Sequence, residues 1–353
     1  MKTAVKKIIE KHRYSSVVKA WKKRHAQVFR LHPHLLQNTG KQILADHVGY
    51  WKQLKMKFST ETFRICHQLS GVKDKRIVPE ELYQGYIEPR LNQPAVSDFF
   101  SHKSFYHHWH GSGIFPATYF HKIDGHYYND QWEVVGIEDV VEWIKTSPHQ
   151  FVVKPNFGSY GGKGVQFVTQ QTEGLETLLS GDPGWVLQER IRQHGVLAVF
   201  HPQSLNTVRA HLYRSLESGA FVFLHGALRM GRDGGLDNVS DGGLVSFIRK
   251  DGKLHGHALD KYGDRLEVHP NSGKSFDMTL PNYDELKGVA LKVARKIFYT
   301  RVIGLDMCYD ADGKWRVIEV NTQAQSIRFA QYAGIPFFGN YTDEVKNRAG
   351  CLV

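Results

Sequence analysis

Phe151–Val168, FVVKPNFGSYGGKGVQFV, reads as a β-rich run ending in a lysine, a loop holding Gly158, Gly161, Gly162 and Gly164, and a second short β-rich run. Glycines let backbone N–H groups turn inward and approach an anion with no Cβ in the way. Lys154 beside that loop adds a point charge for the same anion. The combination points to nucleotide phosphates.

Two phosphate loops are excluded by spelling. A Walker A loop needs glycine five positions before its Gly-Lys-Ser/Thr and then a helix. Here Phe157 precedes Gly162 by five, and Lys163 is followed by Gly164. A dinucleotide loop needs a third glycine three residues after its second, opening a helix. Phe167 stands there, inside a β-rich run. What remains is a strand, a glycine loop and a returning strand.

The C-terminal third points the same way independently. Asp284–Ile297 carries Leu286, Val289, Ala290, Val293, Ala294 and Ile297 at helical spacing. Two β-rich runs follow, VIGLDMCY and WRVIEVN, joined by the turn residues Asp310-Ala311-Asp312-Gly313. Opposing Asp310 to Gly313 sets Asp306 across from Val317, and period-two alternation adds Glu319 and Asn321 to that face. Two carboxylates and an amide oxygen are the hard ligands Mg²⁺ prefers, and Mn²⁺ shares that preference.

This ordered set resembles the ATP-grasp superfamily, and over Asp98 to the C-terminus it is similar to the sugar-transfer-associated subgroup related to α-L-glutamate ligases. The resemblance implies an α+β fold in which two lobes sandwich ATP, with residues 115–190 bearing the flap and residues 191–340 the metal. It implies that Lys103 and Lys154 contact ATP phosphates, and that Ser159, Gly161 and Gly162 belong to the flap over them. In VLQERI, Glu189 sits near adenine or ribose, Gln188 takes that role if the register slips by one, and Ile191 closes the hinge. Asp306, Glu319 and Asn321 are the implied magnesium ligands. Arg209 and Arg229 neutralise moving phosphate charge, and Arg328 grips a substrate carboxylate, with Gln323 and Gln325 beside it. Asp237 or Asn238, in a glycine-dense stretch, would assist the metal or the acceptor.

The expected activity is therefore an ATP- and Mg-dependent ligase joining a carboxylate to an amine through an acylphosphate, in cell-surface polysaccharide or glycoconjugate synthesis. A kinase acting on a small-molecule or sugar hydroxyl is the alternative, and a non-catalytic nucleotide- or nucleic-acid-binding protein ranks below both. The implied partners are ATP and a small carboxylate or sugar-linked substrate.

Composition agrees with a folded enzyme. The 353 residues are 41% hydrophobic and 23% charged, enough to bury substantial cores. Three widely separated cysteines fit a reducing compartment, which predicts the cytoplasm. A net charge of +11 invites a nucleic-acid reading, yet no recognition-helix, zinc or RNP-like signature accompanies it, so no specific nucleic-acid partner is expected. Of the 20 histidines, His107, His108 and His110 cluster without a carboxylate or cysteine to complete a metal set, and read as packed or solvated. Residues 1–97 read as mostly helical. The basic segment 1–30 places Val17, Trp21 and Val28 on one face, which either docks on the body or touches anionic membrane peripherally.

Overall fold

In a computed structural model of the chain, which describes residues 2–158, 162–181, 184–233 and 242–351, the strands form two antiparallel sheets. The first comprises β1 (Thr118–Ile123), β2 (His126–Asn129), β3 (Val134–Val135), β4 (Phe151–Pro155), β5 (Gln166–Val168) and β6 (Trp185–Glu189), in the order β3-β2-β1-β6-β4-β5. Helices Ile137–Thr146 and Leu175–Ser180 cover one face, joining Val140, Ile144, Leu175 and Leu179 to Phe120, Phe151, Val153 and Leu187 in a single core. The first of these helices starts where it does because Asp139 accepts the otherwise unpaired Gly136 N–H at 2.8 Å.

The second sheet comprises β7 (Thr207–Arg214), β8 (Phe221–Met230), β9 (Leu244–Ile248), β10 (Ala258–Leu259), β11 (Arg265–Leu266), β12 (Val302–Tyr309) and β13 (Trp315–Asn321). Its order is β11-β10-β9-β8-β7-β12-β13. The helix expected over Asp284–Ile297 forms as Tyr283–Ala294 and lays Leu286, Ala290 and Val293 on one face of this sheet. Burying each such leucine or valine contributes roughly 1.5–3 kcal/mol.

The opposite face is covered from the N-terminal end of the chain. Helices α1 (Lys2–Leu31), α2 (Lys41–Lys52) and α3 (Glu61–Ser70) deliver Tyr14, Trp51, Val28 and Phe63 into clusters that also contain Tyr213, Val302, Ala227 and Val245 from the strands. α1 therefore docks: Tyr14, Trp21, His25 and Val28 are buried, while Lys19, Lys22 and Lys23 face outward. Beyond residue 10 its buried apolar side chains are Tyr14, Trp21 and Val28, while Leu31 at its C-terminal end is exposed.

Two polar side chains between α3 and the first sheet bind this region to the β12–β13 hairpin. Asn92 donates to Val302 O and Thr322 O at 2.6 and 2.7 Å, and accepts from the N–H groups of Arg301 and Val302 at 2.7 and 3.0 Å. Glu88, 2% exposed, accepts from the N–H groups of Ala324 and Gln325 at 3.1 and 3.0 Å. These bonds satisfy backbone groups where β12 begins and just beyond the end of β13, where Ala324 is held at φ 54°.

Candidate functional site

The glycine loop lies where the sequence implies. β4 and β5 pair antiparallel, with Phe151 opposite Val168 and Val153 opposite Gln166. Gly158, Gly162 and Gly164 adopt φ values of 69°, 74° and 78°, the left-handed region that disfavours any side chain. A Cβ at Gly164 would lie 2.8 Å from Pro155 Cγ. Ser159 and Gly161, like Asp237 and Asn238, lie outside the described residues.

Between the two sheets opens a cleft of about 1220 Å³, large enough for a nucleotide together with a second substrate. Lys103, Lys154, Gly162, Glu189, Ile191, Arg209, Arg229, Asp306, Glu319 and Asn321, far apart in sequence, all line it. Six lining cations (Lys103, Lys154, Arg190, Arg192, Arg209, Arg229) face three carboxylates (Glu189, Asp306, Glu319), so the walls favour a polyanion. Burial, then the neighbouring Lys103, push the Lys154 ammonium down to about 8.

Asp306 and Glu319 meet in a register that differs from the expected one. Asp310 pairs with Lys314 across the turn, and its carboxylate accepts from the N–H groups of Asp312 and Lys314 at 3.1 and 2.9 Å. A bulge at Ile318 shifts the ladder once more, so Asp306 lies opposite Glu319 and Gly304 opposite Asn321. Val317, expected across from Asp306, is fully buried in the core. The oxygen set survives because the bulge returns Glu319 and Asn321 to the cleft wall.

Each carboxylate of that set is balanced by cations. Arg209 donates to both oxygens of Asp306 at 2.5 and 3.0 Å, and Arg229 adds a bond at 3.1 Å. Despite burial, these guanidiniums hold the Asp306 carboxyl down at about 2, fully ionised. Lys103, 4% exposed, pairs with Glu319 at 2.9 Å. Asn321 Nδ2 approaches Asp306 at 3.4 Å. Among the described residues no three His, Cys, Asp or Glu side chains form a metal cluster; the oxygen donors that line this wall are Asp306, Glu319 and the amide of Asn321, which could hold a metal together with a ligand's own oxygens. Oxygen-only chemistry of that kind fits Mg²⁺.

At the hinge the choice between neighbours is visible. Glu189 lines the cleft and is held by Arg316 at 2.7 Å and by the Ala117 N–H at 3.0 Å. Gln188 is buried, donates to Thr118 Oγ1 at 2.9 Å, and is absent from the cleft wall. Strand alternation places these two side chains on opposite faces of β6.

Arg328 does not line the main cleft. It opens the short helix Arg328–Tyr332 and lines a side cavity of about 120 Å³, whose wall also includes Arg209 and Arg229. Trp21 of α1 braces it, with the ring centroid 5.8 Å from the Arg328 guanidinium and 4.6 Å from that of Arg24. Gln325 is buried and bonds Val302 O, a structural role, while Gln323 bonds Ser97 and Asn92 O at the cleft margin. Sequence reasoning missed Arg316, which orients Glu189, and the buried pair His211 and His225. The signal for the pair was alternation along β7 and β8, which puts His211 in step with Arg209 and His225 in step with Ala227 and Arg229.

Residues 172–346 match the family described as sugar-transfer associated ATP-grasp. No curated protein gives a significant match to the chain. Solved structures similar to it include N5-carboxyaminoimidazole synthetase from Staphylococcus aureus complexed with ADP, at 13% identity and TM-score 0.40, covering 67% of this chain and 50% of that one. The ATP-grasp ligase PsnB, complexed with a minimal precursor variant, Mg and ADP, is similar at 15% identity and TM-score 0.40, covering 73% and 61%. A biotin carboxylase–ATP complex from Campylobacter jejuni is similar at 15% identity and TM-score 0.44, covering 71% and 46%. The chain thus spans between 46% and 61% of the length of these structures. Over residues 172–346, just under half its length, the chain is thus similar to the sugar-transfer associated ATP-grasp family.

Proposed function

We propose that the protein is an ATP-dependent ligase that activates a carboxylate as an acylphosphate and transfers the acyl group to an amine. The observation carrying this reading is the cleft between the sheets, where Lys103, Lys154, Arg209 and Arg229 surround the carboxylates of Asp306 and Glu319. ATP brings a polyphosphate that competes for those cations. Arg209, Arg229 and Lys103 exchange carboxylate partners for phosphate oxygens, and Asp306 and Glu319 are released for a cation. Asp306, Glu319 and Asn321 would then hold Mg²⁺, which supplies charge neutralisation at the phosphates.

In the first step a substrate carboxylate oxygen attacks the γ-phosphorus. The bond to the β–γ bridging oxygen breaks, and ADP leaves with that electron pair. Arg209 and Arg229 offset the charge that accumulates on the transferring group. An amine nitrogen next attacks the acyl carbon, phosphate departs with the C–O electron pair, and the nitrogen loses its proton to solvent. Closure of the glycine loop over the cleft excludes water from the acylphosphate. No side-chain nucleophile takes part. The family description suggests a sugar-linked acceptor, in polysaccharide or glycoconjugate synthesis.

The test is ATP turnover with Mg²⁺ against pooled carboxylates, amines and amino sugars, with mass spectrometry of the products. A product equal to the two substrates less water supports the ligase. A product gaining one phosphate group identifies a kinase instead, and ATP turnover unchanged by Glu319→Ala would remove the metal assignment.

A further inference from the structure

The side cavity behind Asp306 has a composition that phosphate binding in the main cleft does not use. Its wall includes Arg328, Ser326, His211 and His225, together with Arg209 and Arg229, which it shares with the cleft. His211 is 5% exposed, and neither of its ring nitrogens has a hydrogen-bond partner among the described residues. His225 Nε2, on a ring 7% exposed, is likewise unpartnered, and the two ring centroids are 5.0 Å apart. A buried polar atom without a partner is costly unless a ligand or water supplies one.

Charge and size narrow the ligand. Three guanidiniums reach this wall, and among the described residues Asp306 bonds Arg209 and Arg229 but not Arg328. Among the described residues Arg328 makes two long hydrogen bonds, to Ser326 Oγ at 3.3 Å and Lys261 O at 3.4 Å, and none to a carboxylate. Burial holds His211 and His225 as neutral rings; His211 can donate one N–H to an anion, while the N–H of His225 is engaged by the Phe337 backbone carbonyl, which leaves its Nε2 as an acceptor. The volume of about 120 Å³ holds about four atoms at the ~30 Å³ that each water occupies in the liquid. A carboxylate on one carbon has four heavy atoms. Ala227, Val245 and Phe329 supply apolar wall against which that carbon packs.

We infer that this cavity is the subsite for the carboxylate end of the substrate, held by Arg328 with His211 and bordered by His225, and that it selects a short unbranched stem. The inference rests on the ligase reading, because the shared Arg209 and Arg229 then bring this carboxylate beside the phosphates in the cleft. Trp21 is a positioning residue for the subsite, acting through Arg328.

The experiment uses the full chain with Mg²⁺ and the β,γ-imido analogue of ATP. Acetate, benzoate and inorganic phosphate are titrated separately, and the imidazole signals of His211 and His225 are followed, assigned through His211→Phe and His225→Phe. Acetate is expected to shift both signals saturably, and benzoate to leave them unmoved. Arg328→Gln weakens acetate about tenfold or more, the scale of a lost charge-assisted bond. Ala227→Leu fills the cavity and abolishes the acetate shift, while affinity for the ATP analogue, measured without acetate, stays within twofold of wild type. Ala227→Val carries the same comparison with less overpacking if the leucine variant does not fold. The inference is overturned by absence of a saturable acetate shift, by unchanged acetate affinity in Arg328→Gln or the folded Ala227 variant, or by tighter binding of phosphate than acetate. Failure of the wild type to bind the ATP analogue overturns the ligase reading instead, and that measurement stands apart from the acetate titration.

Discussion

Replacing Asp306 by asparagine tests the ion cluster and the metal assignment together. The substitution keeps the shape of the side chain and removes its charge, depriving Arg209 and Arg229 of the Asp306 carboxylate that both of them bond. Three bonds, at 2.5, 3.0 and 3.1 Å, lose their ionic character. Breaking a buried ion pair from one side costs about 3–5 kcal/mol. The lower end applies, since the amide oxygen still accepts one bond and both arginines border an open cleft. An unfolding entropy of about 2.1 cal/mol/K per residue over 353 residues gives about 0.74 kcal/mol/K, so about 3 kcal/mol lowers Tm by about 4 °C. Thermal unfolding is recorded for wild type and Asp306→Asn, each alone, with ATP, and with ATP plus Mg²⁺. ATP alone is expected to raise Tm more in the variant than in the wild type, because the freed arginines receive the phosphates. Adding Mg²⁺ raises it further only in the wild type. An unchanged Tm in the variant without ligand would refute the cluster energetics, and an undiminished magnesium increment would refute the role of Asp306 as a ligand.

Three further outcomes follow from the same geometry. With the Lys154 ammonium titrating at about 8, ATP binding takes up a proton near that pH, and affinity falls about tenfold between pH 7 and 9; calorimetry in buffers of different ionisation enthalpy reads both. Gly164→Ala meets a backbone at φ 78° and a Pro155 contact at 2.8 Å, so it costs about 1–2 kcal/mol in denaturant titrations and weakens ATP binding, whereas an exposed Gly219→Ala does not weaken it. Burial raises the Glu80 carboxyl from 4.5 to about 8, so stability is greatest with both states protonated and is lost as pH climbs through that window, where only the unfolded chain ionises. Urea midpoints of Glu80→Gln should be flatter with pH than those of wild type; parallel curves would contradict the assignment.

The glycine hairpin was legible because it is written in a local pattern. Glycines at positive φ and a lysine at a strand end have few other uses together, so the β4–β5 hairpin could be read from Phe151–Val168 alone. The Asp306, Glu319 and Asn321 set was legible in membership but not in register. Turn composition suggested Asp310 opposite Gly313, yet the Asp310 side chain caps a longer loop, and nothing in WRVIEVN marks Ile318 as the bulge. The Gln188 and Glu189 alternatives needed the sheet, because only the pairing of β6 between β1 and β4 decides which side chain meets the cleft. The side cavity was hidden for another reason: its wall draws on β7, β8, β9 and the helix Arg328–Tyr332, and no single window of sequence contains the set.

Asn92 and Glu88 give the molecule an indivisible architecture. A polypeptide beginning at Asp98 would retain every nucleotide motif, yet it would expose the N–H groups of Arg301, Val302, Ala324 and Gln325 and two carbonyls that these side chains satisfy. It would also uncover the sheet face beneath Tyr213, Val302, Ala227 and Val245. The hairpin that carries Asp306 and Glu319 is thus fastened from outside its own lobe. The N-terminal segment and the hairpin therefore behave as one mechanical unit, since each satisfies polar groups that the other leaves open.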